Sequence, residues 1–388
     1  MSPHLDPTTL KTLLVRGTNW VGDSIMSVPA LKKLRRMLPD TRICLLVLPW
    51  VSEIFDDIGV ADEVLIYDRG GVHAGALGRL RLIRELRGRA FDGALLLQNA
   101  FEAALLTRLA GIPIRAGYAR DARGWLLTHG LKIHPRVSRL HQAYYYLDLV
   151  DQALGIPREA LDAEMVSEWK DFCRVPVPDT SLQVNPIRRA SARRRLKEEG
   201  VDLERLLVGV HAGAAFGSAK RWPLERFAQV LDKLAQERGA QVLLFGAPNE
   251  ISIARAIERQ MRSPIAVLSG RTSLAELIAL IDCCDLFITN DSGPMHLAAA
   301  LRVPMLAIFG STDEVATGPL SPTAKVINKK VECSPCLLRE CPIDHRCMTR
   351  ISVEEVYGEA LPLLQGRREA RLRDSMSQSR TDPGQRVE

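Results

Sequence analysis

The sequence predicts an α/β protein built from two doubly wound parallel sheets in series. Three observations carry that expectation. Short runs rich in Leu, Ile and Val alternate with amphipathic helical segments along most of the chain. Those runs are apolar on both faces, as strands covered by helices on each side must be. The 388 residues are also more than one compact core holds, so two domains are the natural division.

In the first half, strands are expected at 12–16, 42–47, 63–67, 93–98 and 114–118. Helices fall near 23–38, 50–58, 76–88, 100–110 and 141–154. The alternation breaks at Arg174-Val-Pro-Val-Pro-Asp179, where prolines interrupt any period. It resumes with strands at 206–210, 241–246, 264–268, 285–289 and 305–309, and helices near 187–199, 223–238, 249–262, 273–282, 292–301 and 353–365. The expected organisation is a domain over 1–178, a linker over 179–186 and a second domain over 187–350. A C-terminal helix over 351–366 and a disordered polar tail over 367–388 complete it. Two such domains would leave a cleft between them.

Polar residues gather where strands end. Leu13-Leu14-Val15 runs into R-G-T-N-W-V-G-D, and Asp23 opens an amphipathic helix. Val208-Gly209-Val210 runs into H-A-G-A-A-F-G-S-A-K-R-W-P before a helix near Pro223. Leu286-Phe287-Ile288 runs into T-N-D-S-G-P-M-H. Open α/β sheets bind ligands at the carboxyl ends of their strands. Asp291 and Ser292 occupy a helix N-cap, Gly293 lets backbone approach a ligand, and Pro294 suits a first turn. Such a terminus attracts a phosphate, although an ordinary capped turn explains the same residues. His296 lies one turn further in. There is no G-x-G-x-x-G after a first strand and no Walker A loop, so phosphate binding must rest on helix termini and basic side chains.

The formal net charge of +6 is unevenly spread. Arg69, Arg79, Arg81, Arg84, Arg87 and Arg89 form one cluster, and Arg115, Arg120, Arg123, Lys132 and Arg136 a second. A third, Arg188 to Lys197, lies on a polar helix and reads as a solvated face. Such density suggests an anionic partner. Aromatics do not interleave with these residues, which argues against nucleic acid. No run is long enough to span a bilayer, and M-S-P-H-L-D-P-T-T-L lacks the pattern of a signal peptide, so a cytoplasmic protein is expected.

Of eight cysteines, Cys44, Cys173, Cys283 and Cys284 sit in or beside apolar runs and read as inert buried thiols. Cys333, Cys336, Cys341 and Cys347 share the segment 333–347. Their irregular spacing favours a reduced loop, with a structural metal as the alternative and His345 as a further ligand.

Taken in order, R-G-T-N-W-V-G-D-S-I-M-S-V-P-A-L, G-A-A-F-G-S-A-K-R-W-P, N-D-S-G-P-M-H-L-A-A-A-L, F-G-S-T-D and C-S-P-C-L-L-R-E-C-P-I-D-H-R-C-M closely resemble the ADP-heptose:lipopolysaccharide heptosyltransferases of glycosyltransferase family 9. The heptosyltransferase II branch is the nearest, and the resemblance covers roughly residues 12–365. It implies a GT-B fold of two Rossmann-like domains facing a central cleft, the first for acceptor and the second for nucleotide sugar. It also implies an inverting transfer without metal or other cofactor. The family's catalytic aspartate falls on Asp23, its donor-contacting lysine on Lys220, and the aspartate and histidine of its nucleotide loop on Asp291 and His296. Ala212 departs from the family, where a proline is usual, and Ser292 stands where some relatives have threonine.

The implied chemistry suits these side chains. Asp23 could take the proton of the acceptor hydroxyl, and its competing role is to cap a helix from Ser24, whose positive end favours the ionised carboxylate. Lys220 could neutralise the departing diphosphate; otherwise it is a surface lysine in a loop. Amides at Ala214, Ala215, Ser292 and Gly293 could hold phosphate. Glu250 could bind ribose hydroxyls or cap a helix, and His296 could orient the phosphate loop or simply fill a helix. Arg69, Arg79, Arg120 and Arg123 are the candidate contacts to an anionic acceptor, the bland reading being solvated arginines. The partners implied are ADP-heptose, a lipid A-linked inner-core acceptor and the cytoplasmic surface of the inner membrane, for a peripherally bound monomer. Heptosyltransferase I, acting on Kdo2-lipid A, and a non-catalytic nucleotide-sugar-binding protein remain the alternatives.

Overall fold

Sheet order shows how the chain uses its apolar runs. The structure, a computed structural model, describes residues 4–378, with side chains up to 365 apart from that of Cys173. It divides into two compact units, Met1–Asn185 with Glu314–Leu320, and Pro186–Asp313 with Ser321–Glu388.

The first unit contains β1 (Thr12–Arg16), α1 (Val21–Met37), β2 (Arg42–Val47), α2 (Pro49–Ser52), β3 (Glu63–Ile66), α3 (Gly75–Gly88), β4 (Gly93–Leu96), α4 (Phe101–Leu109), β5 (Ile114–Tyr118), β6 (His129–Leu131), α5 (Gln142–Leu154) and α6 (Glu159–Asp162). The second contains α7 (Pro186–Glu198), β7 (Leu207–His211), α8 (Leu224–Arg238), β8 (Gln241–Leu244), α9 (Ile251–Glu258), β9 (Ile265–Val267), α10 (Leu274–Asp282), β10 (Leu286–Asn290), α11 (Gly293–Ala300) and β11 (Met305–Phe309). The short α12 (Glu314–Thr317) belongs to the first unit, and β12 (Ala324–Asn328), α13 (Arg346–Thr349) and α14 (Val353–Gln378) to the second.

Each unit holds a six-stranded parallel sheet, ordered β3-β2-β1-β4-β5-β6 in the first and β12-β11-β10-β7-β8-β9 in the second. Numbered within its own unit, the second order is the first read backwards, so the winding is the same. Strand order reverses between β1 and β4 in one sheet and between β10 and β7 in the other. Those are the switch points where crevices open at the carboxyl ends of strands. Thr12 to Arg16 pair with Arg42 to Leu46, and Leu286 to Thr289 with Val208 to His211, so the motif-bearing strands are central. Their apolar side chains form the cores: Leu14, Leu46, Ala94 and Leu96 in one unit, Val208, Val210, Ile288 and Ile308 in the other.

Several boundaries differ from expectation. β6 and β12 are edge strands that the sequence reading missed, because His129-Gly130-Leu131 carries one large apolar residue and Ala324–Asn328 follows a proline turn. Helix 50–58 shrinks to a single turn, Pro49–Ser52. The segment expected as a linker over 179–186 is anchored: Lys32 donates to Asp179 at 2.8 Å and to the Ser181 carbonyl. Glu314–Leu320, expected in the second domain, packs with the first unit, where Leu320 joins Phe172 and Ala143. The last helix runs to Gln378, beyond the expected end at 366; Arg, Glu, Ala and Leu after Gly366 are good helix formers and no proline stops them. Residues 379–388 of the expected tail lie outside the described residues. Cys44, Cys283 and Cys284 are buried thiols, as expected.

Candidate functional site

In the second unit, β7 delivers His211, Ala212 and Gly213 to the switch point, and β10 delivers Asn290 and Asp291. Asn290 ties both ends of the intervening loop. Its Nδ2 donates to the Ala212 carbonyl at 2.7 Å, and its Oδ1 accepts from the Trp222 amide at 3.0 Å. Trp222 is fully buried against Phe227 and donates its indole N–H to the Ile351 carbonyl at 3.1 Å. Clamped in this way, the loop presents Lys220, whose Nζ donates to Asp291 Oδ2 at 2.5 Å. Thr312, after β11, donates to the same oxygen at 2.6 Å. The Phe216 ring lies 4.9 Å from the Lys220 ammonium.

Ser292 is the N-cap of α11, and its side chain makes no capping bond. It pairs instead with the Thr289 hydroxyl at 3.0 Å. The Ser292 side chain therefore does not occupy the first-turn amides of α11, which carry the positive end of the helix. His296 lies one turn in and is buried; burial pushes its pKa down to about 4, against the pull of Asp291, so the ring is neutral at pH 7.

Glu250 is the N-cap of α9, after β8, and reaches back to His211 at the end of β7. Its Oε2 accepts from His211 Nε2 at 3.0 Å and from the Ala247 amide at 2.9 Å. Burial pushes the carboxyl up, but the His211 hydrogen bond and charge outweigh it and hold the pKa below the usual value. A Cβ at Gly213 would lie 1.9 Å from Glu250 Oε1, so only glycine fits beneath this carboxylate. Ala214 is buried and Ala215 exposed on the same loop.

The segment 333–347 forms the wall behind Lys220. The Arg339 carbonyl accepts from the Ala219 amide at 2.9 Å, His345 Nε2 meets the Ala219 carbonyl at 2.9 Å, and the Leu337 amide donates to Ser311 at 2.8 Å. Cys333, Cys336, Cys341 and Cys347 are free. Burial, then the three neighbouring sulfurs, push the Cys347 thiol up. Among the described residues no group of three or more His, Cys, Asp or Glu side chains could hold a metal ion.

In the first unit, Arg16 ends β1 buried beneath the loop that follows. Its guanidinium donates to the carbonyls of Gly17 (2.6 Å) and Leu46 (3.2 Å) and to Asn19 Oδ1 (2.8 Å). Burial lowers its pKa to about 10, so it stays charged. A Cβ at Gly17 would meet Val47 at 2.7 Å, which explains the glycine where the loop crosses β2. Asp23 is the third residue of α1, not a cap before Ser24, because Trp20 is the N-cap and the helix starts at Val21. Tyr146 of α5 donates its hydroxyl to Asp23 Oδ1 at 3.0 Å. Its phenol pKa is raised by burial and by the Asp23 charge, so it remains a neutral donor.

The four arginines separate. Arg79 donates to Glu102 Oε1 at 2.7 Å and Arg69 lies 3.9 Å from Glu102, whose Oε1 also accepts from Tyr67. Both arginines are about half exposed, Arg69 after β3 and Arg79 in α3. Arg120 stands apart beside Asp121 at 3.4 Å. Arg123 corrects the expectation: it is wholly buried and spends its donors on the carbonyls of Tyr118 and Gln98 and on Asn99 Oδ1. It serves the fold and cannot meet an acceptor. Sequence reasoning missed His211, Asn290, Thr312, Tyr146 and Arg16. Asn290 and Thr312 lie inside quoted motifs, whereas Tyr146 sits in a Tyr-Tyr-Tyr run that offers no signal for which ring turns inward.

Two identically wound six-stranded parallel sheets in one chain are the architecture of the GT-B fold. The chain belongs to glycosyltransferase family 9 (heptosyltransferase), whose sequence model matches residues 79–346. It is 32% identical over 321 residues to lipopolysaccharide heptosyltransferase 2 of Escherichia coli (strain K12), covering 81% of this chain and 87% of that protein. The protein of the same name from Salmonella typhimurium is 31% identical over 319 residues, with the same coverage. The solved E. coli ADP-heptose LPS heptosyltransferase II aligns with TM-score 0.76 at 28% identity, covering 92% of this chain and 99% of that one. An E. coli heptosyltransferase solved with ADP shares the fold at TM-score 0.65 and 18% identity, over 91% of this chain and 99% of that one. The chain is an enzyme of this family.

Proposed function

We propose that the chain is an inverting glycosyltransferase that moves L-glycero-D-manno-heptose from ADP-heptose onto the heptosyl-Kdo2-lipid A inner core of lipopolysaccharide. The observation that carries this reading is a carboxylate, Asp23, held by Tyr146 in a first helical turn at the switch point, in a chain 32% identical to lipopolysaccharide heptosyltransferase 2 of E. coli. The acceptor oxygen attacks the anomeric carbon and its proton passes to Asp23. The bond from that carbon to the diphosphate breaks, and its electron pair leaves with ADP. Lys220, aligned by Asp291, and the first-turn amides of α11 neutralise the growing charge. Ala214, Ala215, Ser292 and Gly293 are the backbone contacts of the phosphates, with Glu250 at the ribose and neutral His296 supporting the Asp291 loop. Arg69 and Arg79 meet the anionic acceptor, and Arg120 is a weaker candidate. The enzyme works as a monomer bound peripherally to the cytoplasmic face of the inner membrane. Among the described residues no helix is long and apolar enough to cross a membrane.

The test is ADP release by the purified chain with ADP-heptose and either Kdo2-lipid A or its heptosylated form. Release with the heptosylated acceptor, giving a product of opposite anomeric configuration, is expected. Preference for the unheptosylated acceptor would assign the earlier transfer instead. Because Lys220 and helix amides supply the positive charge, activity should survive EDTA. Loss of activity that Mg²⁺ restores would remove that part of the mechanism.

A further inference from the structure

We propose that the outward face of α3, with an aromatic pair beside it, is the surface on which this chain docks onto an anionic lipid bilayer. The buried side of α3 consists of Gly78, Leu82, Ile83 and Leu86. At about 100° per residue, Leu77, Leu80, Arg81, Arg84 and Arg87 fall on the opposite side, and all are exposed. Leu77 is 82% and Leu80 45% exposed. A single exposed leucine needs no explanation. Two leucines three residues apart, continued along the same face by three arginines, match a helix lying in a membrane interface. There apolar side chains sink below the headgroups while guanidinium groups meet phosphates.

A second observation comes from the neighbouring elements. Trp125 is 65% exposed; its ring lies 6.1 Å from that of Phe101, at the start of α4, and 5.4 Å from the Arg108 guanidinium. α3 packs on α4, and Arg87 donates to the Leu109 carbonyl at its end. An amphipathic tryptophan backed by arginine is the side chain that membrane interfaces select. α3 and α4 both begin at the carboxyl edge of the first sheet, as α1 does with Asp23. The surface that would touch lipid and the carboxylate that would touch the acceptor thus share one edge of one unit.

Charge selects the occupant. Arg84 has no ion-pair partner among the described residues, Arg87 meets only a carbonyl, and Arg81 shares Glu85 with His73. The face is therefore net positive. A second copy of the chain would oppose arginine to arginine, whereas anionic headgroups neutralise them.

The inference rests on the lipid-linked acceptor of the proposed function, but vesicle binding can be read without donor or turnover. The full-length chain is sedimented with phosphatidylcholine vesicles and with vesicles containing phosphatidylglycerol. Binding to the anionic vesicles, weakening with salt, is expected. Leu77→Gln with Leu80→Gln should lower the partition coefficient roughly tenfold, and Arg81→Gln with Arg84→Gln by a similar factor. Arg193→Gln with Arg194→Gln on α7, an equal loss of charge elsewhere, should leave it unchanged. Undiminished binding by both α3 variants, or an equal loss in the α7 variant, overturns the proposal. So does a concentration-dependent dimer that the leucine variants abolish without changing vesicle binding. Heptose transfer to a water-soluble, deacylated acceptor separates the two readings. The α3 variants should keep wild-type rates there, and a wild-type chain that binds vesicles but transfers nothing defeats the functional reading alone.

Discussion

Both units wind their sheets identically, yet the two switch points are filled differently. In the second unit the polar groups are locked to one another: Lys220 and Thr312 on Asp291, His211 on Glu250, and Asn290 across both loop ends. In the first, Asp23 leans on Tyr146, and Arg69 and Arg79 share one carboxylate while staying half exposed. Under the proposed function the second unit takes a compact, highly charged nucleoside diphosphate, and a preorganised network suits it, since aligned dipoles and charges need no rearrangement as the bond breaks. A large anionic glycolipid gains more from many adjustable surface contacts. The difference teaches that one topology can carry a closed polar network at one switch point and an open, half-exposed rim at the other.

The sharpest way to break that contrast is Asp23→Asn, an isosteric change that removes the base. Turnover should fall about a thousandfold while ADP-heptose affinity, measured by calorimetry, stays nearly constant. Unchanged turnover would leave the first unit without its proposed chemistry. Lys220→Ala should cut kcat about a hundredfold and weaken the donor as well, because one cation serves both ground and transition states. A loss of thermal stability alone would make the lysine structural.

The preorganised cage carries a pH signature. The folded pKa of His296, about 4, lies below its ordinary 6.5, so the unfolded chain binds the proton more readily. The stabilising effect is complete above pH 6.5 and is lost as pH falls toward 4, amounting to about 2 kcal/mol between pH 7 and 5. Urea titrations across that range should show the slope, and His296→Gln should flatten it; an unaltered slope would mean that other groups dominate.

In the first unit Tyr146→Phe removes the hydroxyl that holds Asp23. About a tenfold drop in kcat at unchanged donor affinity is expected, and no change would mean that Asp23 is held without it. The smallest effect separates two arginines of neighbouring basic clusters. Arg79→Gln should raise acceptor KM a few-fold without altering the melting temperature. Arg123→Gln should do the reverse, costing about 1–3 kcal/mol because buried carbonyls lose their donor. Identical behaviour of the two would erase the distinction between rim and core.

Much of this was legible in the sequence because the relevant physics is local. Leu14, Val208 and Ile288 lie in apolar runs that can only be central strands of covered sheets, so they announced both the fold and where its loops must end. Asp23, Lys220 and Asp291 lie in the loops or first helical turns that follow such strands, which placed them toward carboxyl ends without knowledge of any contact. β6 and β12 escaped because an edge strand needs little apolar surface and therefore leaves little pattern.

Partnership was decided only by the tertiary structure. Nothing local distinguishes Arg123 from Arg79: both are arginines in basic stretches, and only the path of β4 and β5 brings Gln98 and Asn99 around one of them. Tyr146 meets Asp23 across 123 residues, Lys220 meets Asp291 across 71, and His345 reaches Ala219 across 126. Strand and helix follow from the period of apolar residues along the chain. Which charge meets which depends on loop closures and packing angles that no short stretch of sequence contains.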